Sequence, residues 1–412
     1  MIKMTSDQTV SEPTLILAIS NGAGHIRAAE AIAEAIRDGS GSAVVIDVED
    51  YMTETARFTH VTAYLWLVKN APQVWDRIDR YQKKQSRTSP DWYYRRGCAP
   101  LFQLVREMRP KAIVATEVGC CEIAALIKKD LKLHVPLVAV NVNYDADQAW
   151  VQPEVDLYCV ATEQVRAELI NFGSPQDRIA VWGVPMSAGF ATLARDRVRL
   201  DVCQWLKLDP DKGLVLVAGG SEGMGQIKEV VMRLMRLESS PQIIVVTGKN
   251  QRLRRSVENQ TSKNDHRVRV LGWTDRMVEL MRASDVMVSK LGNTFDEAIA
   301  AELPIVALEP PPGSERVQYK LLDEWGVGSA VRTVDEMADT IARLLRHPAE
   351  LEAMRARARG RRLVGAADVI AKWLRMQCAV AEGRPELSAR SELVVNGNAE
   401  LLYLQQIEAR SQ

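Results

Sequence analysis

The sequence predicts an α/β protein with two parallel-sheet domains that face each other across a cleft. Two observations predict this fold. Short apolar runs alternate with amphipathic helical patterns along most of the chain, and a turn-rich break at residues 183–189 divides the alternation into two halves. Runs that are apolar throughout are typical of strands buried on both faces of a parallel sheet. The chain has 412 residues, 47% of them hydrophobic, which is enough for more than one core.

The first half contains six predicted strands. Residues 14–19 form the first strand, and a loop holding Gly22 and Gly24 connects it to a predicted helix at 25–37. This helix carries an apolar stripe that includes Ile32 and Ile36, as expected of a helix that packs on a sheet. The other strands predicted in this half are 43–47, 112–116, 137–140, 157–160 and 179–181.

The second half repeats the pattern. Its predicted strands are 214–218, 243–247, 268–271, 286–289 and 305–308, each beside a helical segment. Strands that alternate with helices imply parallel sheets with right-handed crossovers. The predicted domains are therefore 1–183 and 184–355, followed by C-terminal helices and a tail at 356–412. Periodicity fades beyond residue 383, and the sequence assigns no role to this end.

Charge and cysteine content exclude several classes of protein. The 53 basic and 53 acidic residues cancel, so no overall field attracts nucleic acid. No apolar run reaches the roughly 18 residues of a spanning helix, and the polar residues 1–13 do not resemble a signal peptide. The six cysteines form no CxxC pair, which favours reduced thiols in a cytosolic protein.

Two segments that follow strands have the composition of anion and hydroxyl sites. The segment Gly219-Gly-Ser-Glu-Gly223 follows a strand and precedes a helix, where backbone N–H groups favour phosphate. It matches neither a dinucleotide fingerprint nor a P-loop, and a plain tight turn is the alternative. Glu297 lies near the start of a helix, where it either complements the helix dipole or accepts hydrogen bonds from vicinal hydroxyls.

These segments, together with Pro312-Gly-Ser-Glu315, resemble the donor site of GT-B glycosyltransferases. The most similar patterns are those of the monogalactosyldiacylglycerol synthase and processive diacylglycerol glucosyltransferase group, which is related to the peptidoglycan lipid-intermediate N-acetylglucosaminyltransferase. In the first half, Ser20-Asn-Gly-Ala-Gly24-His25 resembles the Gly-Gly-Gly-His loop of that group. The resemblance implies the GT-B fold, in which two Rossmann-like parallel-sheet domains face a cleft.

The resemblance also implies a role for individual residues. His25 would work on the acceptor side, as the base that deprotonates the incoming hydroxyl or as a group that holds the sugar or phosphate. Gly219, Gly220 and Ser221 would cradle the donor diphosphate, and Glu297 would hold the ribose hydroxyls. The remaining donor-site residues that it implies are Gly272 and Trp273 near the base, Gly292 and Asn293 in the same pocket, and Glu315 at the sugar.

The resemblance implies no cofactor beyond the UDP-sugar, which is a co-substrate, and no metal. Asp145-Ala-Asp147 matches the Asp-x-Asp pattern of a metal-binding motif, and we interpret this match as a coincidence. The chain also departs from the group, because Val142-Asn143-Tyr144 stands where Thr-Asp-Phe is usual. Whether Asn143 or Asp145 replaces the expected carboxylate is left open.

Residues 57–111 have the composition of a membrane-contact region. They include 12 Lys or Arg against 4 Asp or Glu, although the whole chain is neutral. Tryptophan and tyrosine prefer the headgroup level of a bilayer, and basic residues are attracted to anionic lipid. The acceptor and membrane residues predicted on this basis, together with the glycine loop, are Gly22, Gly24, Trp66, Trp75, Trp92 and Tyr93. The alternative is a helical hairpin whose aromatic side chains belong to the core.

The resulting hypothesis is an inverting, metal-independent glycosyltransferase. It would move a hexose from a UDP-sugar to a hydroxyl of a diacylglycerol-like lipid, as a peripheral protein on the inner face of the cell membrane, with no nucleic acid partner. One alternative is transfer to a soluble acceptor, or an epimerase-like reaction on the nucleotide sugar. Another is a catalytically inactive nucleotide-sugar binding module. The sequence leaves the donor sugar, the acceptor, processivity and the oligomeric state open.

Overall fold

The computed structural model describes residues 12–20, 23–71, 73–74, 77–78, 90–192, 194–221, 223–261, 265–308 and 316–381. Within these ranges the chain forms two six-stranded sheets in which every pair of neighbouring strands is parallel. The predicted α/β fold with two parallel-sheet domains is confirmed.

The first sheet has the strand order β2-β1-β3-β4-β5-β6. Its central strand β1 is buried along its whole length, with Leu15 and Leu17 on one face and Ile16 and Ala18 on the other. Because side chains alternate between the faces of a strand, a run that is apolar throughout requires helices on both sides. The strands are β1 (Thr14–Ala18), β2 (Ala43–Asp47), β3 (Ala112–Ala115), β4 (Leu137–Asn141), β5 (Leu157–Val160) and β6 (Ile179–Val181).

Helices cover this sheet, and polar side chains fix where several of them begin. The side chain of Glu117 accepts the N–H of Cys120, and that of Thr162 accepts the N–H of Val165, so each caps the helix that follows it. The helices are α1 (Ala23–Asp38), α2 (Glu54–Arg57), α3 (Ala63–Asn70), α4 (Asp91–Gly97), α5 (Ala99–Met108), α6 (Val118–Asp130) and α7 (Glu163–Asn171). A π-helical turn, Phe58–Thr62, joins α2 to α3.

The second sheet has the order β12-β11-β10-β7-β8-β9. Its strands are β7 (Leu214–Ala218), β8 (Gln242–Val246), β9 (Val268–Leu271), β10 (Val286–Ser289), β11 (Ile305–Leu308) and β12 (Gly328–Val331). Its helices are α8 (Gly189–Thr192), α9 (Arg195–Leu206), α10 (Ile227–Leu234), α11 (Gln251–Glu258), α12 (Met277–Ala283), α13 (Thr294–Ala300), α14 (Arg316–Glu324), α15 (Val334–Arg346) and α16 (Pro348–Arg359).

The last described helix returns to the first domain. After residues 360–365 the chain forms α17 (Ala366–Ala381), which packs on α1. The chain therefore crosses between the domains twice, at 182–188 and at 360–365. The two crossings touch, because the Cα of Gly183 lies so close to Leu363 that an added Cβ would be 2.7 Å from the Leu363 Cβ.

Each of the eleven predicted strands is present to within one residue at either end. Strand β12 was missed, because Gly328-Ser-Ala-Val331 contains one bulky apolar residue and gives no apolar run. The predicted domain boundary at residue 355 falls inside α16. Residues 382–412, most of the predicted tail, lie outside the described residues.

In the first sheet, β2 lies on one side of β1 and β3 on the other. In the second sheet, β8 lies on one side of β7 and β10 on the other. The order of strands therefore switches direction between β1 and β3 and between β7 and β10. Ligands of open parallel sheets bind at such switch points, beyond the carboxyl ends of the strands. The loops after β1, β3, β7 and β10 are therefore where a site is expected.

The contact between the two crossings can be tested by substitution. Gly183 has a φ of +86°, and Gly173 has a φ of +99° but no atom within 4 Å of an added Cβ. Gly183→Ala and Gly173→Ala therefore share the backbone strain and differ in the steric contact with Leu363. We expect Gly183→Ala to lower the free energy of unfolding in urea by about 1–2 kcal/mol more than Gly173→Ala. Equal losses would show that the crossings do not constrain each other.

Candidate active site

The glycine loop of the first domain meets the donor side of the second domain directly. A Cβ built on Gly24 would lie 2.4 Å from the side-chain carboxamide of Asn293, which follows β10. A larger residue at position 24 would require the Asn293 side chain to move. The structure therefore brings the two predicted residues together across the cleft.

His25 lies in the first turn of α1, beside the switch point of the first sheet. Its ring Nδ1 lies 2.7 Å from the backbone carbonyl oxygen of Thr116, which follows β3. The hydroxyl of Thr116 in turn donates to the backbone carbonyl of His25. Because a carbonyl only accepts, Nδ1 carries the proton in this contact, and the neutral ring then presents Nε2 as a proton acceptor.

The loop 219–225 of the second domain is closely packed. A Cβ on Gly219 would lie 2.2 Å from the backbone oxygen of Met224, and Gly220 has a φ of +71°. The N–H of Lys249 donates to the backbone oxygen of Ser221, so the loop after β8 supports this one. Helix α10 begins at Ile227. A loop that only glycine can form, followed by a helix, suits close approach of an anion to backbone N–H groups.

Gln318 holds the loop after β10 in place. Its buried side-chain amide accepts the N–H of Gly292 and donates to the carbonyl oxygen of the same residue, at 2.8 and 3.1 Å. Gly292 itself has a φ of +74°. The paired hydrogen bonds fix the peptide groups that precede Asn293 and α13.

Glu297, in the first turn of α13, forms a salt bridge across the cleft. Its Oε1 accepts a hydrogen bond from Nη1 of Arg27 on α1, at 2.9 Å. Its Oε2 is buried and has no hydrogen-bond partner among the described residues. Burial raises the pKa of Glu297, and Arg27 opposes this shift. Oε2 is thus an acceptor without a partner among the described residues, buried where the two domains meet.

The neighbouring residue, Asp296, makes a second link between the domains. Its Oδ1 accepts a hydrogen bond from the hydroxyl of Tyr144, which follows β4, at 2.7 Å. Its Oδ2 is buried without a partner among the described residues. Burial raises the pKa of Asp296 to about 7, although the bond from Tyr144 lowers it. Two consecutive carboxyl groups of α13 are therefore held by the opposite domain.

Trp273 forms one wall of a pocket above the glycine loop. Its ring is 47% exposed and lies between two cations, with the guanidinium of Arg27 at 5.7 Å and Nζ of Lys249 at 5.4 Å from the ring centroid. The described lining residues are Arg27, Ala218, Gly220, Ser221, Val246, Gly248, Trp273, Thr274, Met277 and Thr294. Gly272 packs near Arg254 and Gly248. This pocket has an aromatic wall, a glycine floor and cations at its edge.

Several predicted residues either lie outside the described part of the chain or have local roles. Gly22, Trp75 and Glu315 are outside the described residues. Asn143 is exposed, and its N–H donates to the side chain of Asn141. Asp147 uses its carboxylate to accept the N–H of Ala149 at the start of a short helical turn.

The predicted membrane region divides into exposed and buried aromatic residues. Trp66 and Trp92 are 60% and 66% exposed, and Phe58 is 60% exposed. Tyr93 is half-buried, and its hydroxyl lies 2.6 Å from that of Thr59. Tyr94, which belongs to the same aromatic run, is buried and donates to Glu122. Of these five aromatic residues, Tyr94 belongs to the core and Tyr93 packs against it, whereas Phe58, Trp66 and Trp92 are exposed.

The sequence did not indicate the residues that form contacts across the cleft or support a loop of the site. They are Arg27, Tyr144, Asp296, Gln318 and Lys249. Among these residues, Tyr144 was the most recognisable from the sequence, because it replaces the phenylalanine that is usual at its position and adds a hydroxyl group.

In comparisons with known proteins, each half of the chain matches a family model. Residues 25–186 match the family model described as monogalactosyldiacylglycerol (MGDG) synthase. Residues 217–347 match the model described as glycosyl transferases group 1. The first match begins at His25, directly after the glycine loop that holds Gly22 and Gly24. The second begins within β7 and includes the loop 219–225.

Individual relatives agree with these matches. A processive diacylglycerol beta-glucosyltransferase from Staphylococcus saprophyticus is 24% identical over 352 residues, which cover 84% of this chain and 88% of that protein. MurG from Acinetobacter baumannii shares the fold with a TM-score of 0.57 at 12% identity, covering 88% of this chain and 99% of that chain. Anabaena Alr3699/HepE, solved in complex with UDP and glucose, has a TM-score of 0.51 at 14% identity, covering 92% and 99%. The predicted resemblance and GT-B fold are confirmed.

No helix in the described part of the chain is long and apolar enough to cross a membrane.

The raised pKa of Asp296 predicts a pH-dependent stability. Its carboxyl group has an ordinary pKa of 3.8 and a pKa of about 7 when folded, so the unfolded chain loses this proton first as the pH rises. The stability that the buried neutral group contributes is present below pH 4 and is lost as the pH rises to about 7. We expect Asp296→Asn to gain stability relative to the wild type across this window, by up to about 1.4 kcal/mol per pH unit.

Urea unfolding at a series of pH values measures this difference. Asp177→Asn is the matched control, because Asp177 is exposed and its solvation changes little on folding. A difference between Asp296→Asn and the wild type that stays constant from pH 4 to pH 8 would contradict the assignment.

Proposed function

We propose that this chain, a GT-B glycosyltransferase similar to the MGDG synthases and the processive diacylglycerol glucosyltransferases, transfers glucose from UDP-glucose to the hydroxyl group of a diacylglycerol-like lipid. The observation that carries the proposal is the contact of Gly24, in the glycine loop of the first domain, with Asn293, in the loop after β10 of the second domain. This contact places an acceptor-side histidine and a donor pocket at one cleft. The named relative, which acts on diacylglycerol, matches the chain across both domains.

The donor pocket suits a uridine diphosphate. Loop N–H groups near Gly219 and Gly220 would receive the diphosphate, and Trp273 would contact the base. The free, buried Oε2 of Glu297 would accept a hydrogen bond from a ribose hydroxyl. Each of these contacts uses a group that the folded protein already holds in place, so binding requires little reorganisation.

His25 would act as the general base. With Nδ1 bonded to the carbonyl of Thr116, its Nε2 removes the proton of the lipid hydroxyl as that oxygen attacks the anomeric carbon. A single displacement of this kind inverts the configuration of the sugar. UDP-glucose carries an α-linked sugar, so inversion gives a β-glucoside, in agreement with the name of the relative.

The leaving diphosphate would be stabilised by backbone N–H groups of the loop 219–225 and by the N-terminus of α10. Such groups are oriented before the reaction and face the charge that develops on the leaving oxygen. In this proposal the reaction needs no metal ion and no cofactor besides the UDP-sugar.

The lipid would reach the cleft from a membrane surface. Phe58, Trp66 and Trp92 expose large apolar side chains within the basic region 57–111. A hydrogen bond between Thr59 and Tyr93 joins the segments that carry them. Aromatic groups at headgroup level and basic residues attracted to anionic lipid would hold the protein on the inner face of the cell membrane.

The function is tested by release of UDP from a panel of UDP-hexoses, with and without vesicles that contain diacylglycerol and anionic lipid. We expect release from UDP-glucose to require the lipid. His25→Ala removes the base and should lower kcat by at least about 100-fold with little change in UDP affinity. Glu297→Ala should weaken UDP binding as well.

The outcomes separate the alternatives. UDP release without lipid would favour a soluble acceptor. UDP binding without release under any condition, with His25→Ala behaving like the wild type, would favour an inactive binding module. His134→Ala is the control, since this histidine lies outside the cleft, on the loop before β4.

Vesicle co-sedimentation tests the membrane surface. Trp66→Ser and Trp92→Ser, combined, should reduce binding to vesicles with anionic lipid by about tenfold, because each removes a large apolar group from the interface. Trp205→Ser is the matched control, as this tryptophan is 42% exposed but lies on α9 of the second domain beside Arg276. Equal loss of binding in both would contradict a surface at 57–111.

A further inference from the structure

Arg27 belongs to the acceptor-side domain but lines the donor pocket. It lies on α1, two residues after His25, and its guanidinium forms the pocket wall with Gly220, Ser221 and Thr294. Its side chain is one-third exposed, so a ligand that enters the pocket contacts it.

Two contacts fix the orientation of this side chain. Nη1 donates to Oε1 of Glu297 at 2.9 Å, and the guanidinium lies 5.7 Å from the ring centroid of Trp273. A guanidinium has five N–H donors, and the described residues accept one hydrogen bond from it, at Nη1. Because Arg27 lines the same pocket as Gly220 and Ser221, its other donors are within reach of a ligand bound there.

Glu297 has one carboxylate oxygen for Arg27 and a second for another partner. The carboxylate has two oxygens, of which Oε1 holds Arg27 and Oε2 is free and buried. A ribose hydroxyl that bonds to Oε2 therefore does not displace the arginine. Gly220 and Ser221 line the same pocket as Arg27, so a diphosphate held by their loop would lie beside the guanidinium.

We propose that Arg27 binds the donor diphosphate from across the cleft and stabilises the charge that develops on it during transfer. As the acceptor oxygen bonds to the anomeric carbon, the bond from that carbon to the β-phosphate oxygen breaks and its electron pair stays on the diphosphate. The acceptor proton goes to His25. The guanidinium offsets the additional negative charge, and it does so only when the domains are closed.

This inference rests on the proposed function, and titration calorimetry with uridine and UDP tests it separately. The wild type should bind UDP more tightly than uridine. In Arg27→Gln the ratio of the two affinities should fall by about tenfold or more, as expected for a charge-assisted hydrogen bond to phosphate. Uridine affinity itself should change less than threefold. Arg27→Lys retains the charge and should restore part of the ratio.

A matched control has the same change of charge at an exposed arginine of the donor domain, Arg252→Gln on α11. It should leave the ratio unchanged. If Arg27→Gln fails to fold, the ratio of UDP to uridine affinity in Arg27→Lys, and the kcat of that variant for UDP release, test the proposal instead. If Arg27 had only a structural role, its substitution would lower the affinities for uridine and for UDP equally. An unchanged ratio in a variant that still binds UDP would overturn the role of Arg27. A wild type that binds neither ligand would overturn the proposed function itself.

Discussion

Two consecutive carboxyl groups at the start of α13 depend on the opposite domain for their partners. Asp296 and Glu297 are buried where the domains meet, and Tyr144 and Arg27 reach across to them. A buried carboxylate without a partner costs several kcal/mol, so each bond favours the closed arrangement. The same closed arrangement brings Gly24 against Asn293 and makes Arg27 part of the lining of the donor pocket. Each carboxyl group keeps one oxygen free, so closure leaves capacity to bind a ligand.

The topology explains why the chemistry converges at one place. Both sheets reverse direction beside their first strand, and the loops after β1 and β7 each begin a helix at that point. One domain thereby presents a histidine, and the other presents a glycine loop and a carboxylate. Gln318, buried in α14, holds the loop after β10 through both polar groups of Gly292. The acceptor side and the donor side are thus separate units whose alignment depends on a few polar contacts.

Much of this architecture could be predicted from the sequence, because parallel strands that are buried on both faces appear in the sequence as short apolar runs. Strand β12 was missed since Gly328-Ser-Ala-Val331 lacks such a run. The glycine loops and Glu297 were found from local pattern and from resemblance. Arg27 was not, because its partner is 270 residues away in the chain and helix periodicity gives no information on a contact between domains. Tyr94 shows the same limit, since composition alone does not separate a buried ring from an exposed one such as Trp92.

The most direct test of the account is the structure of the product. Nuclear magnetic resonance of the glycolipid formed from carbon-13 labelled UDP-glucose and diacylglycerol vesicles reads the sugar, the acceptor and the anomeric configuration together. We expect a β-linked glucosyl diacylglycerol, because a base on one domain and a donor pocket on the other are aligned for a single displacement. An α linkage, a labelled product without lipid, or an altered nucleotide sugar would contradict the account.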